Sequence, residues 1–196
     1  MRYPKAFELL IAHFSSLPSI GPKMAERLVL YLFKQDEEKL IAFAESLEGL
    51  KHLSSCRECF YISGSERCGF CSDGSRDQAT ICVVEEPLDV IAIERTGSYH
   101  GLYHVLGGVL DAGKEDSSLR VTELKSRVKG AAVAEVILAT NPTTEGDMTA
   151  YFLRTKLADL PVKVTRIARG MATGGDIEYV DEVTLSSSLE NRKPLN

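Results

Sequence analysis

The sequence lacks any run close to the ~18 consecutive apolar residues that a membrane span needs; its longest candidates, around Ile11 and Val136, are broken by polar residues within a few positions. A signal peptide's continuous apolar stretch is missing too. Met1-Arg2-Tyr3-Pro4-Lys5 leads instead into an amphipathic pattern, so the protein is expected in the cytoplasm. Positive charge is not in excess: 23 Lys+Arg against 28 Asp+Glu give a formal net charge of −5, with the surplus acid at the C-terminal end. That excludes the basic-tail class of nucleic-acid binders and leaves only a local, salt-sensitive phosphate site. No Gly-x4-Gly-Lys-[Ser/Thr] loop occurs, so nucleotide hydrolysis has no phosphate cradle. Internal repeats and low-complexity segments are absent as well, and 44% hydrophobic with 26% charged residues rules out disordered and fibrous classes. The 196 residues allow one to two domains.

What is present is strongly patterned. Phe7, Leu10, Ile11 and Phe14 fall at helical spacing, as do Ala25, Leu28, Val29 and Leu32, and then Leu40, Phe43, Ala44 and Leu47, predicting three helices in the first fifty residues. From Ile81 onward short apolar runs at 81–84, 103–106, 136–139 and 162–167 read as strands. Helical stretches at 88–94, 118–128 and 145–157 separate them. Strands alternating with helices predict an α/β arrangement, a parallel sheet flanked by helices. A final helical stretch is expected over 178–189.

The first two helices are joined by Leu17-Pro18-Ser19-Ile20-Gly21-Pro22-Lys23, a turn of Pro, Ser and Gly with Pro22 suited to the first helical position. This is a helix-hairpin-helix pattern. Backbone N–H groups around Ile20 and Gly21 can approach a phosphate closely, the helix N-terminus adds positive potential, and Lys23 and Arg27 add two charges one turn apart. Such contacts grip the backbone and carry no base code, so DNA binding is expected to be sequence-nonspecific. The plain alternative is an ordinary αα-hairpin turn with two solvated cations. Ser19 occupies a position where many such loops carry glycine.

Residues 56–71 change character abruptly. Cys56-x2-Cys59 and Cys68-x2-Cys71 form two knuckles able to present four thiolates to one Zn²⁺, and the segment has too little apolar mass to order without a metal. Four thiolates close the coordination sphere, so the metal is expected to be structural, one per subunit. A redox dithiol pair is the competing reading. Arg57, Arg67 and Arg76 are candidates to offset the charge of the centre, His52 lies outside the spacing, and Cys82 reads as a small buried hydrophobe.

The strand at 81–84 runs into Glu85-Glu86-Pro87-Leu88-Asp89, which puts carboxylates at the carboxyl end of a parallel strand, where open α/β sheets build their sites. The loop Thr140-Asn141-Pro142-Thr143-Thr144-Glu145-Gly146-Asp147 follows another strand and is expected beside it. Together they suggest a divalent-metal site of the phosphoryl-transfer kind.

The hairpin at 17–23, the four cysteines, Val84-Glu85-Glu86-Pro87, the stretch from Gly101 to Gly108, Asn141-Pro142-Thr143-Thr144-Glu145-Gly146 and Gly174-Gly175-Asp176-Ile177-Glu178-Tyr179 stand in one order along essentially the whole chain. In that order the sequence resembles the RecR family of bacterial recombination and repair proteins. The resemblance implies a helix-hairpin-helix DNA-binding region at 1–54, a four-cysteine zinc finger at 55–78, a Toprim domain at 79–170 and a C-terminal oligomerisation segment at 171–196. It also implies a homotetrameric ring able to encircle DNA, acting with RecO and RecF to load RecA onto gapped or single-stranded DNA. The wider Toprim family pairs a strand-end Glu with Asp-x-Asp; here Glu85 holds the Glu position, but Asn141 and Thr143 stand where the two Asp belong. A Mg²⁺-dependent enzyme that cuts or rejoins DNA is thereby disfavoured. Glu85, Glu86, Asp89 and Glu145 are expected to offer an acidic surface to a basic partner instead. A third reading is a zinc-stabilised interaction module without DNA affinity. Tyr99, His100, Tyr103 and His104 are expected to serve strand packing.

Overall fold

The computed structural model describes residues 3–110 and 119–194. The chain divides into two compact units, Met1–His52 and Leu53–Asn196. The first is helical: α1 (Lys5–Ser15), α2 (Pro22–Phe33) and α3 (Glu37–Gly49), with a 3₁₀ turn over Leu50–His52. Pro22 sits in the first turn of α2, where a missing N–H costs nothing. Asp36 caps α3 by accepting the Lys39 N–H at 2.9 Å. Within this unit, only Ala25 and Val29 are buried among the described residues.

The second unit opens with the cysteine segment: a short antiparallel pair, β1 (Ser54–Ser55) with β2 (Ile62–Ser63), and the single turn α4 (Gly69–Ser72). There follow β3 (Asp77–Val84), α5 (Pro87–Glu94), β4 (Gly101–Val105), α6 (Val121–Gly130), β5 (Glu135–Leu138), α7 (Thr144–Leu157) and β6 (Lys163–Arg166). The four longer strands form one all-parallel sheet in the order β4-β3-β5-β6. The fold is thus α/β in this unit, as the sequence pattern predicts.

Alternation along β3 builds both layers of the core. Ile81 and Val83 pack with Leu124 and Val128 of α6 and Leu153 and Leu157 of α7, while Cys82 and Val84 face Val90 of α5 and Phe60, Tyr61 and Phe70 of the cysteine segment. The segment also covers the open edge of β4. From that segment, Arg76 Nη1 donates to Gly101 O at 2.7 Å and Cys59 O accepts the Val105 N–H at 2.8 Å; between them Arg127 Nη1 of α6 donates to Tyr103 O at 2.5 Å. An edge strand is thereby relieved of its unpaired groups.

The elements depart from the periodicity in a few places. β3 begins at Asp77, four residues before its apolar run, because Asp77 N–H bonds His100 O and Ala79 O accepts Ala134 N–H at the polar end of the sheet. The helix expected over 118–128 begins later among the described residues, at Val121, and runs on to Gly130; Ser118 lies outside the described residues. The tail helix expected over 178–189 is split into a 3₁₀ turn, Ile177–Tyr179, and α8 (Glu182–Glu190). Asp181 restarts it by accepting the Thr184 N–H at 2.9 Å and the Thr184 hydroxyl at 2.7 Å.

Candidate functional sites

The hairpin presents Gly21, Lys23 and Arg27 on one exposed face, lining a shallow concavity with Pro22 and Met24. A Cβ at Gly21 would meet nothing within 4 Å, so the loop face is open to close approach. Ile20 takes no part in that approach: its N–H donates to Leu17 O at 3.2 Å, closing the turn, and its side chain is half-buried. The exposed groups of this face are therefore Gly21, Lys23 and Arg27, while the Ile20 N–H expected beside them from the sequence is spent within the turn. Ser19 holds a left-handed φ of 64°, a conformation that favours glycine.

All four Sγ atoms of Cys56, Cys59, Cys68 and Cys71 lie within 4.8 Å of one another, and all four residues are buried and unbridged. Four sulfurs bound at ~2.3 Å to one tetrahedral ion stand about 3.8 Å apart, so the group fits a single metal. Cys59 and Cys68 sulfurs are 3.4 Å apart, far beyond disulfide length, and Cys68 N–H points at Cys56 Sγ at 3.3 Å. A hydrogen bond from Cys59, and then the positive charge of Arg127, hold the Cys71 thiol down at about 6, while sharing that proton and burial push Cys59 up. Cys71 is therefore the member of the group that most readily gives a thiolate, the form a metal takes.

At the carboxyl edge of the sheet, β3 and β5 are neighbours whose connections leave in opposite directions, a topological switch point. Glu85 at the end of β3 and the loop after β5 meet there. Asn141 donates its main-chain N–H to Glu85 Oε1 at 2.7 Å and its Nδ2 to Oε2 at 2.5 Å. Thr143 caps α7, accepting the Gly146 N–H at 3.0 Å. Gly146 has to be glycine: a Cβ would stand 2.1 Å from Asn141 O and 3.0 Å from Glu85 Oε1.

Three family descriptions match the chain: "RecR, helix-hairpin-helix" over residues 7–50, "Toprim domain" over 79–168 and "RecR, C-terminal" over 170–193. Recombination protein RecR of Rubrobacter xylanophilus is 46% identical over 196 residues, covering 98% of each chain. The proteins of that name from Chloroflexus aurantiacus and Chloroflexus aggregans are 51% and 52% identical over 189 residues, covering 95% of this chain and 93% and 92% of theirs. The chain belongs to the RecR family.

The sheet corrects one reading of its acidic residues. Glu85 is 7% exposed with both oxygens engaged by Asn141, so it is withdrawn from the acidic surface expected of it. Glu86 and Glu145 are exposed, whereas Asp89 is half-buried and accepts the Glu86 N–H at 2.8 Å as part of the start of α5. Asp147, in the first turn of α7, is claimed by Arg169 and Arg166, whose guanidinium groups hold its carboxyl below the usual range. His104 is fully buried in β4 with Nε2 2.8 Å from Arg120 O, and the Tyr103 hydroxyl donates to Glu94 at 2.6 Å.

Sequence reasoning missed the cation at the four-cysteine group. Arg57 pairs with Glu66, and Arg76 with Glu94; neither bonds a sulfur. Arg67 reaches only the Cys71 carbonyl and Glu58. The guanidinium beside Cys71 Sγ is Arg127, which is 56 residues away in sequence and carries no local signal.

Proposed function

We propose that this RecR-family chain is a non-enzymatic DNA-binding clamp and adaptor of recombinational repair, working in the cytoplasm with RecO and RecF to load RecA onto gapped or single-stranded DNA. The observation that carries the non-enzymatic reading is the closed Glu85–Asn141 pair: the carboxylate is neutralised by donors where a Mg²⁺ site needs further anionic oxygens. Binding then falls to the hairpin, where Gly21, Lys23 and Arg27 grip phosphates without reading bases. Each grip is weak in a chain of net charge −5. Several copies in a homotetrameric ring, closed through the segment 171–196, multiply it by effective concentration.

In this reading 1–54 binds DNA, 55–78 is the zinc finger and 79–170 the Toprim domain. Cys56, Cys59, Cys68 and Cys71 hold one structural Zn²⁺, which supplies a closed tetrahedral cross-link with no open position for chemistry. Glu86, Asp89 and Glu145 remain as the acidic surface for a basic partner, without Glu85.

The test is a DNA titration across salt concentrations with the unmodified protein and Lys23→Ala/Arg27→Ala, beside a plasmid incubation in Mg²⁺. The double variant should bind at least about tenfold more weakly, with a flatter salt slope, and plasmid should stay intact. Unchanged affinity overturns the hairpin grip. Nicking abolished by Glu85→Gln overturns the non-enzymatic reading.

A further inference from the structure

The charge of a four-thiolate centre has to be offset by something, and the nearest arginines in sequence do not do it. Arg57 spends its guanidinium on Glu66, and Arg67 donates to Glu58 and to the Cys71 carbonyl, not to sulfur. Arg127 comes instead from α6, a helix packed on the sheet. Its Nη2 lies 3.8 Å from Cys71 Sγ while Nη1 donates to Tyr103 O at 2.5 Å. Tyr103 O is one of the edge groups of β4, so one planar fork bridges the edge of the sheet and a sulfur of the cysteine group. The backbone adds a parallel link, Val105 N–H to Cys59 O at 2.8 Å.

We infer that Arg127 is the outer-shell partner of the metal centre: it donates an N–H to the Cys71 thiolate, offsets the charge of the centre and ties it to β4. The inference rests on the reading of the four cysteines as a metal site. Four thiolates around a dication leave two surplus negative charges in a buried place, and a guanidinium hydrogen bond to one sulfur drains electron density from it. Outer-shell donors of this kind are worth about 10–100-fold in metal affinity. The fork also explains why arginine is needed. Lysine keeps the charge but, with one compact ammonium, it cannot hold the Tyr103 carbonyl and the Cys71 sulfur in the same planar geometry.

The full-length chain is loaded with Co²⁺ in place of Zn²⁺, and two quantities are read: the sulfur-to-cobalt charge-transfer band and the transfer of metal to an excess of chelator. In Arg127→Met the band should move to lower energy, because a thiolate without its donor is easier to oxidise, and affinity should fall about 10–100-fold. Arg127→Lys should show the same shift with a smaller loss of affinity, and it carries the test if the methionine variant does not fold. Arg67→Met, which removes a contact to the Cys71 carbonyl and none to sulfur, should leave the band in place. A band that stays put in both Arg127 variants, with chelator transfer within about twofold of the parent, overturns the inference. An unmodified chain that takes up no Co²⁺ with a thiolate band overturns the metal reading itself, before any variant is compared.

Discussion

Asn141 meets Glu85 with two donors, its main-chain N–H at 2.7 Å and its side-chain Nδ2 at 2.5 Å, one for each carboxylate oxygen. The pair sits where two neighbouring parallel strands end and their connections diverge, the place in such sheets where ligands usually bind. Here the chain itself supplies the occupant. An amide takes the coordination that a cation would have taken, and Gly146 lets the backbone come close enough for it.

Asn141→Asp should convert that attraction into a clash of like charges. In Mg²⁺-free buffer without chelator the variant is expected to lose about 2–4 kcal/mol, since the charge-assisted Nδ2 hydrogen bond goes and two carboxylates come into contact. Millimolar Mg²⁺ should restore part of the loss by bridging them, while the parent should melt at the same temperature with and without Mg²⁺. Thermal melts in both buffers decide it. A variant that melts with the parent in Mg²⁺-free buffer would show that the Nδ2 contact contributes nothing.

Ser19 carries a side chain at a left-handed φ of 64° in the hairpin. Ser19→Gly removes the associated strain, partly offset by the freer unfolded chain, so a gain of up to about 1 kcal/mol is expected together with tighter DNA binding at low salt. Ser19→Val, β-branched at the same φ, should cost about 1–2 kcal/mol. Denaturant melts and a DNA titration on both variants check the order Gly, Ser, Val; a reversed order would mean that the turn relaxes around the residue.

Much of this molecule could be read from its residues because the signals are local. Cys56, Cys59, Cys68 and Cys71 declare a metal group by spacing alone, and the run Ile81–Val84 followed by Glu85 declares a strand with a carboxylate at its end. The same spacing could not show that Glu85 would be buried, because that depends on Asn141, 56 residues on. Arg127 was hidden for the same reason: on α6 its position looks like that of any solvated arginine, and only the packing of the cysteine segment against β4 brings Cys71 to it. That the Ile20 N–H would be engaged was hidden as well, because a four-residue turn closes it on Leu17 O, a detail set by backbone geometry and not by residue type. Asp181 was legible in principle, since an Asp three residues before Thr184 is an N-cap signal, but the apolar periodicity on either side masked it.

On the proposed metal reading of the four cysteines, stripping the metal should be felt in the sheet as well as in the cysteine segment. Cys59 O accepts the Val105 N–H from the edge of β4, and the segment that holds Cys59 in place has only Phe60, Tyr61 and Phe70 as large apolar anchors on the sheet. Chelation is expected to speed hydrogen exchange at Val105 by about tenfold or more, leaving the central strand β3 protected, and to promote association of chains through the uncovered edge. Exchange measured with and without chelator tests this; equal rates at Val105 would mean that the segment keeps its place without metal.

His104 should make stability fall on mild acidification. It is fully buried, and with Nε2 bound to Arg120 O the proton sits on that nitrogen; Nδ1 has no partner among the described residues. Burial, reinforced by the charges of Arg127 and Arg120 and opposed by the Arg120 carbonyl, holds the imidazole down at about 4. In the unfolded chain the ring titrates near 6.5. Between these values the unfolded state binds the proton and the native state does not, so the contribution is fully present above pH 6.5 and is lost as pH falls toward 4. The loss amounts to about 3 kcal/mol. His104→Gln keeps a donor for Arg120 O and removes the titration, so from pH 7 to pH 4 the parent should lose about 3 kcal/mol more than the variant in denaturant melts. Parallel losses in the two proteins would mean that the native state admits the proton, with His104 reaching solvent or an acceptor that relieves its burial.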